Sequence, residues 1–362
     1  MEIHDLVKRF AGHSGVSAMR HVWDDKAVRT IHLKGLSASA VPMLFSALAV
    51  ADTPWQAPVA LFVLNDLEEA GYFYHDLVQM LGEAHVLFFP SSYKRAIKYG
   101  QKDAANEVLR TEVLTRLTAS PLPLPRRGDA DIAEPSSPPW EGLGEASPLY
   151  LVSYPDALAE LVVSRDTLNT RSMALAVGDT IEIPKMEATL TSEGFERVDY
   201  VYEPGQFAVR GSIIDVFSYA SEYPFRIDLF GDEIDSIRTF EIETQLSRDK
   251  VSHISIVPNF DGAQEQSLVS FFDFLPEGSA LAFHDYLWAR ERMEQLKKDE
   301  APLLSPQGGK SSVEEPLLSP LWENEGRCSL LMPEDFIHKT LAFRRIEFGA
   351  KMSSPLGGTR RA

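Results

Sequence analysis

The stretch that decides the fold is residues 203–247, which read EPGQFAVRGSIIDVFSYASEYPFRIDLFGDEIDSIRTFEIETQLS. Within it, the run FRIDLF alternates apolar and polar positions from Phe225 to Phe230. Successive side chains of a β-strand point to opposite faces of the sheet. The run therefore predicts a strand with an apolar inner face (Phe225, Ile227, Leu229) and an outer face that carries Arg226, Asp228 and Phe230.

The outer face of this strand has two interpretations. A phenylalanine exposed beside an arginine is typical of residues that anchor a protein–protein interface. Alternatively, the run forms a half-buried edge strand in which a neighbouring loop covers Phe230. The pattern alone leaves both interpretations open.

The same residues also resemble a known family. The segments EPGQFAVRGSIIDVF and PFRIDLFGDEIDSIR are similar to the module shared by the bacterial repair helicase UvrB and the transcription-repair coupling factors (the Mfd family). In that family the module docks on the protein UvrA. The resemblance implies that UvrA is a partner of this chain and that Arg210, Arg226 and Phe230 contact it.

Composition narrows the function classes. The chain has 362 residues, with 35 Lys and Arg against 53 Asp and Glu, for a net charge of −18. Because DNA affinity comes largely from phosphate neutralisation by Lys and Arg, such a chain is a poor general DNA binder, and a protein partner with a basic surface fits better.

A single cysteine, Cys328, excludes a disulfide framework and a Cys-rich zinc site. No apolar run is long enough to span a membrane, and the N-terminus lacks an apolar secretory segment, so a cytoplasmic location is predicted.

Apolar strands alternate with helices on both sides of the diagnostic stretch. Strands are predicted at residues 28–33, 58–66, 84–90 and 149–153, and helices at residues 40–51, 67–82 and 106–117. Ser37 and Ser39 are predicted to cap the first of these helices. This alternation predicts an α/β fold with a parallel sheet.

The sequence predicts an interrupted domain. The parallel-sheet domain would comprise residues 1–172 and resume over 259–345, and a smaller α+β module with an antiparallel sheet would occupy 173–258. Residues 119–148, rich in Pro, Gly, Ser and acidic residues, predict a flexible insertion. Residues 346–362 predict a frayed C-terminal end.

Phosphate-binding chemistry is missing where the UvrB resemblance would place it. The family carries a P-loop whose Lys and Ser/Thr hold the phosphates and Mg²⁺. The corresponding segment here is KGLSASAVPML, where Ser37 lies in the loop and Val41 and Pro42 replace Lys and Ser/Thr. The expected acidic pair is reduced to Asp285, which Tyr286 follows. The resemblance therefore implies a degenerate P-loop-type domain without nucleotide cofactor or ATP hydrolysis.

Two charged clusters were weighed as further sites. Asp228, Asp232, Glu233 and Asp235 suggest either a metal site or a solvated hairpin turn, and the turn is favoured. Lys94, Arg95 and Lys98 with Tyr93 and Tyr99 suggest either a nucleic-acid contact or a solvated loop face. Histidine spacings of zinc sites are absent from the sequence, so no metal is predicted.

The resemblance implies a non-enzymatic, monomeric adaptor, the N-terminal UvrB-like region of a coupling factor. It would recruit UvrA to a stalled RNA polymerase, thereby linking transcription to nucleotide excision repair. Contacts with RNA polymerase and double-stranded DNA would come from domains outside this sequence. The alternatives are a divergent UvrB-type ATPase or helicase subunit of the excision nuclease, and a folded spacer without a partner.

Overall fold

The structure is a computed structural model that describes residues 3–51, 55–93, 103–118, 148–260, 268–300 and 330–349. The helices in these ranges are α1 (Ile3–Ala11), α2 (Ser14–Asp24), α3 (Ala40–Val50), α4 (Leu67–Leu81), α5 (Ala104–Thr118), α6 (Pro155–Ala159), α7 (Arg165–Arg171), α8 (Ile183–Ser192), α9 (Tyr286–Glu300) and α10 (Pro333–Leu341). The strands are β1 (Thr30–His32), β2 (Val59–Val63), β3 (Val86–Phe88), β4 (Leu149–Ser153), β5 (Val162–Val163), β6 (Met173–Ala176), β7 (Glu196–Arg197), β8 (Gln206–Arg210), β9 (Ile213–Val216), β10 (Phe225–Phe230), β11 (Glu233–Phe240), β12 (Ser247–Val251), β13 (His253–Ile256), β14 (Leu268–Val269), β15 (Ala280–Phe283) and β16 (Arg344–Glu347).

Six parallel strands form the larger sheet, in the order β1-β16-β15-β2-β4-β3. Every residue of β2 and β15 is buried, as expected for strands covered on both faces. The strands β15 and β16 follow the diagnostic stretch in sequence, yet they lie between β1 and β2. One parallel sheet is thus assembled from chain on both sides of that stretch, and the predicted α/β class is confirmed.

The second sheet is built from the diagnostic stretch and has the order β12-β11-β10-β9-β8-β7. Its strands pair antiparallel, except β7 with β8. Helix α8 packs Met186 and Leu190 against the inner face, where Phe225, Ile227 and Leu229 are buried. The alternation predicted for the run FRIDLF is therefore confirmed, with the apolar set inside.

Two local predictions are wrong. Ser39 occupies the N-cap position of α3, but its side chain makes no capping hydrogen bond, and the carbonyl of Ser37 accepts the Ala40 N–H instead. The C-terminal end does not fray from residue 346, because β16 continues to Glu347 and the side chains of Ile346 and Phe348 are buried in the main core. A four-residue strand is too short to show a periodic pattern in sequence.

Part of the predicted insertion, residues 119–147, and the tail from residue 350 lie outside the described residues. Within the described residues, no helix is both long and apolar enough to cross a bilayer.

Candidate functional site

The strand register of the second sheet places the predicted contact residues on one face. Directly opposite residues of antiparallel strands share a face. Arg210 on β8 lies opposite Ile213 on β9, and Ile213 lies opposite Asp228 on β10. Arg226 and Phe230 follow the same alternation as Asp228 along β10. The structure thus brings Arg210, Arg226 and Phe230 to the outer face of the sheet, which is the face opposite helix α8.

A buried carboxylate joins the two arginines. The Asp215 side chain is fully buried and lies opposite Arg226 in the register. Arg226 donates from Nε to Oδ1 at 2.8 Å and from Nη2 to Oδ2 at 2.9 Å. Arg210 donates from Nη2 to the same Oδ2. These hydrogen bonds to Asp215 raise the pKa of Arg226, against the opposing effect of burial. Asp215 therefore fixes both guanidinium groups.

Arg226 is less accessible than the sequence predicted. Its side chain is only 15% exposed, because its guanidinium lies 4.4 Å from the centroid of the Phe240 ring and donates to the Gln245 carbonyl at 3.1 Å. Arg226 lies on the outer face, as the alternation predicted, but other side chains largely cover it. Arg226 supports the outer face as well as forming part of it.

The guanidinium of Arg210 is fixed by several contacts, as that of Arg226 is, but it remains accessible to solvent. Its Nη1 donates to the Asp199 carbonyl at 3.0 Å, and its guanidinium lies 5.1 Å from the centroid of the Tyr200 ring. Its side chain is 36% exposed. An arginine fixed in this way loses little side-chain freedom when a partner binds it.

Phe230 is the most exposed large apolar side chain among the described residues, at 83%. It ends β10 beside the turn at Gly231, whose φ of +67° favours glycine. It lies opposite Glu233, the first residue of β11. The alternative in which a neighbouring loop covers Phe230 is wrong.

Sequence reasoning missed two charged residues of this face, Asp215 and Arg238. Arg238 on β11 forms an ion pair with Asp228 on β10, and the hydroxyl of Ser236 donates to the same carboxylate at 3.3 Å. Both missed residues occupy outer positions in the alternation of their strands, which was the available signal.

Because Asp228 is paired with an arginine, it does not belong to a metal site, and no cluster of metal-binding residues exists among the described parts of the chain.

The segment predicted to be a degenerate P-loop lies at a cleft of about 570 Å³ at the carboxyl edge of the parallel sheet. Ser37, Val41 and Pro42 contribute to its wall, and the side chains of Val41 and Pro42 are buried. The described lining contains no Lys or Arg but includes Glu69 and Asp76, whose charge opposes phosphate. Asp285, the remnant of the acidic pair, accepts the Trp288 N–H at 3.0 Å and so caps helix α9.

The basic spot near residue 95 is only partly described. Tyr93 is 4% exposed, so its ring is not available for stacking on a base. Lys94, Arg95, Lys98 and Tyr99 lie outside the described residues.

Comparison with known proteins defines the class of the second sheet. The model of the UvrB interaction domain family matches residues 173–261, which contain all of the outer face. The fold and the family match define a mixed α/β protein that contains a UvrB interaction domain.

The full-length relatives are transcription-repair-coupling factors. The protein of that name from Bacillus subtilis is 30% identical over 226 residues, covering 62% of this chain and 17% of the relative. The Haemophilus influenzae factor is 47% identical over 81 residues, 22% of this chain and 7% of the relative. The Escherichia coli factor is 33% identical over 103 residues, 28% of this chain and 9% of the relative. These matches confirm the resemblance to the coupling factors, and the chain spans less than a fifth of the length of each of these three relatives.

Proposed function

We propose that this chain is a UvrA-recruiting adaptor, and that UvrA docks on the outer face of its UvrB interaction domain. The observation that carries the proposal is an almost fully exposed Phe230 on the same face as the fixed guanidinium of Arg210. An exposed aromatic side chain costs solvation free energy unless a partner covers it, and aromatic and arginine residues dominate binding energy at interfaces.

The two side chains have complementary roles in this proposal. Phe230 fills an apolar pocket of the partner at the centre of the contact. Arg210 presents a planar fork of N–H donors to a carboxylate of the partner. Asp215 holds Arg210 and Arg226 in place before binding, which reduces the entropy lost on association.

The wider role follows from the relatives, which are transcription-repair-coupling factors. We infer that the adaptor brings UvrA to a stalled RNA polymerase, and that contacts with RNA polymerase and double-stranded DNA belong to parts of the protein outside this sequence. The role of this chain would be non-catalytic. Val41 and Pro42 at the phosphate loop, and the use of Asp285 as a helix cap, support that assignment.

A titration of this chain with purified UvrA tests the proposal. The parent is expected to bind, and Phe230→Ala and Arg210→Ala are each expected to weaken binding by about thirtyfold, the effect of losing about 2 kcal/mol at an interface anchor. Tyr72→Ala is the matched control, because Tyr72 is a 70% exposed aromatic residue on α4 of the other domain. A parent that fails to bind UvrA, or a Phe230→Ala variant that binds like the parent, would overturn the proposal.

A further inference from the structure

A row of like charges crosses the outer face of the antiparallel sheet. Asp215 on β9 lies opposite Arg226 on β10, Arg226 lies opposite Arg238 on β11, and Arg238 lies opposite Lys250 on β12. One carboxylate is thus followed by three cations on neighbouring strands. Like charges in directly opposite positions destabilise a sheet, so a row of three requires compensation from elsewhere.

Carboxylates offset the positive charges of Arg226 and Arg238 in this row, but not that of Lys250. Asp215 neutralises Arg226, and Asp228 from the adjacent row pairs with Arg238. The Nε of Arg238 is buried without a hydrogen-bond partner. The Arg238 side chain as a whole nevertheless remains 33% exposed. Lys250 is exposed on the edge strand, and within the described residues it forms no ion pair.

The positive charge of this row contrasts with the negative charge of the chain as a whole. The whole chain carries a net charge of −18, so a cationic strip on it is a local exception. The strip is continuous with the proposed docking surface, because Arg226 belongs to both. An acidic surface is the kind of partner that complements such a strip.

We infer that the docking surface extends from Phe230 across β11 and β12 to Arg238 and Lys250, and that the partner presents carboxylates to these two residues. This inference rests on the proposed function and adds the charge of the partner's contact surface. Arg238 offers the exposed N–H groups of its guanidinium to a carboxylate, whereas Lys250 acts as a point charge at the rim. Rim charges act mainly on the association rate and on its dependence on salt.

The test measures association rates with UvrA for Lys250→Glu and for the double variant Asp228→Asn/Arg238→Gln, which removes both members of the inner ion pair together. Lys185→Glu is the matched control, because Lys185 is an exposed lysine on α8, on the opposite side of the module. Lys250→Glu is expected to slow association about tenfold at low salt. The difference is expected to disappear near 1 M salt, where the Debye length is about 3 Å.

The outcomes separate the two proposals. If the parent binds UvrA and Phe230→Ala does not, but both charge variants associate like the parent, the extended surface is overturned and the proposed function stands. If Lys185→Glu slows association as much as Lys250→Glu, the effect belongs to net charge and the extended surface is again overturned. If the parent does not bind UvrA, both proposals fail. Since Lys250 is exposed, its variant gives a result even if the double variant does not fold.

Discussion

The guanidinium of Arg226 and the carboxylate of Asp215 form a bidentate ion pair, with both nitrogen–oxygen distances below 3 Å. The side chain of Asp215 is completely buried. A carboxylate in that position is tolerated only while its charge is matched and its oxygens are hydrogen-bonded. Arg226 is therefore part of the framework that holds the outer face.

Replacing Arg226 by Ala is expected to lower the free energy of unfolding by about 3 kcal/mol, because among the described residues it leaves the buried carboxylate with Arg210 as its single charged partner. Urea unfolding of the parent and the variant measures this. Adding Asp215→Asn to Arg226→Ala should recover part of the loss, since the uncompensated charge is gone. An unchanged urea midpoint for Arg226→Ala would contradict the prediction.

Phe225 and Phe230 provide a matched pair of substitutions at the two ends of β10. Phe225→Ala is expected to cost about 3 kcal/mol of stability, because Phe225 is 9% exposed and packs in the core of the module. Phe230→Ala should change stability by about 0.5 kcal/mol or less. Thermal melts distinguish the two, and comparable losses for both variants would show that Phe230 is a core residue.

We expect the dissociation constant for Mg-ATP to exceed about 1 mM, which corresponds to a binding free energy weaker than about −4 kcal/mol. Val41 and Pro42 supply neither the cation nor the hydroxyl that hold phosphates and Mg²⁺, and the carboxylates of Glu69 and Asp76 repel the phosphates. Isothermal titration calorimetry measures this directly. A micromolar dissociation constant would revive the ATPase alternative.

Glu112 on α5 should make stability depend on pH. Burial, assisted by Glu222 and opposed by Arg116, raises the pKa of Glu112 above its ordinary value of 4.5. The protonated form is thus favoured in the folded state, and its stabilisation is complete below pH 4.5 and lost as the pH rises through the folded-state pKa.

The substitution Glu112→Gln keeps this position neutral at every pH. The variant should melt at a higher temperature than the parent at pH 7, and the difference should shrink as the pH falls from the folded-state pKa toward 4.5, where it should have disappeared. Melts between pH 4 and pH 8 test this, with Glu68→Gln on the exposed face of α4 as a control that should follow the parent. A Glu112→Gln variant that is less stable than the parent at pH 7 would contradict the prediction.

The sequence predicted the parts of this molecule that depend on local pattern. Alternation in FRIDLF assigned the inner and outer faces of β10 correctly, and uninterrupted apolar runs such as β2 identified the buried parallel strands. The exposure of Arg226 was not predictable in this way, because it depends on Asp215 of β9 and Phe240 of β11. Which residues face each other across strands depends on register, and a single sequence shows only the alternation.

Net charge was an equally incomplete guide. The value of −18 predicted a partner with a basic surface, which stays a prediction. The outer face of the module carries Arg210, Arg238 and Lys250 beside the paired carboxylates of Asp215 and Asp228. A sum over the chain hides charges that strand pairing gathers in one place, because the charge of one face follows from the sheet register and not from composition.

The two chain segments that connect the module to the parallel-sheet domain pair with each other in one short ribbon, in which β6 runs antiparallel to β13 and Met173 lies opposite Ile256. Opposite residues in such a pair have Cα atoms about 5 Å apart. The two ends of the module therefore leave the ribbon side by side, so the chain between them can be excised and its ends rejoined with a few residues. A transplant of residues 173–256 into a surface loop of an unrelated carrier would keep its strand pairing intact. We therefore expect residues 173–256 to be transferable to another protein as one structural unit.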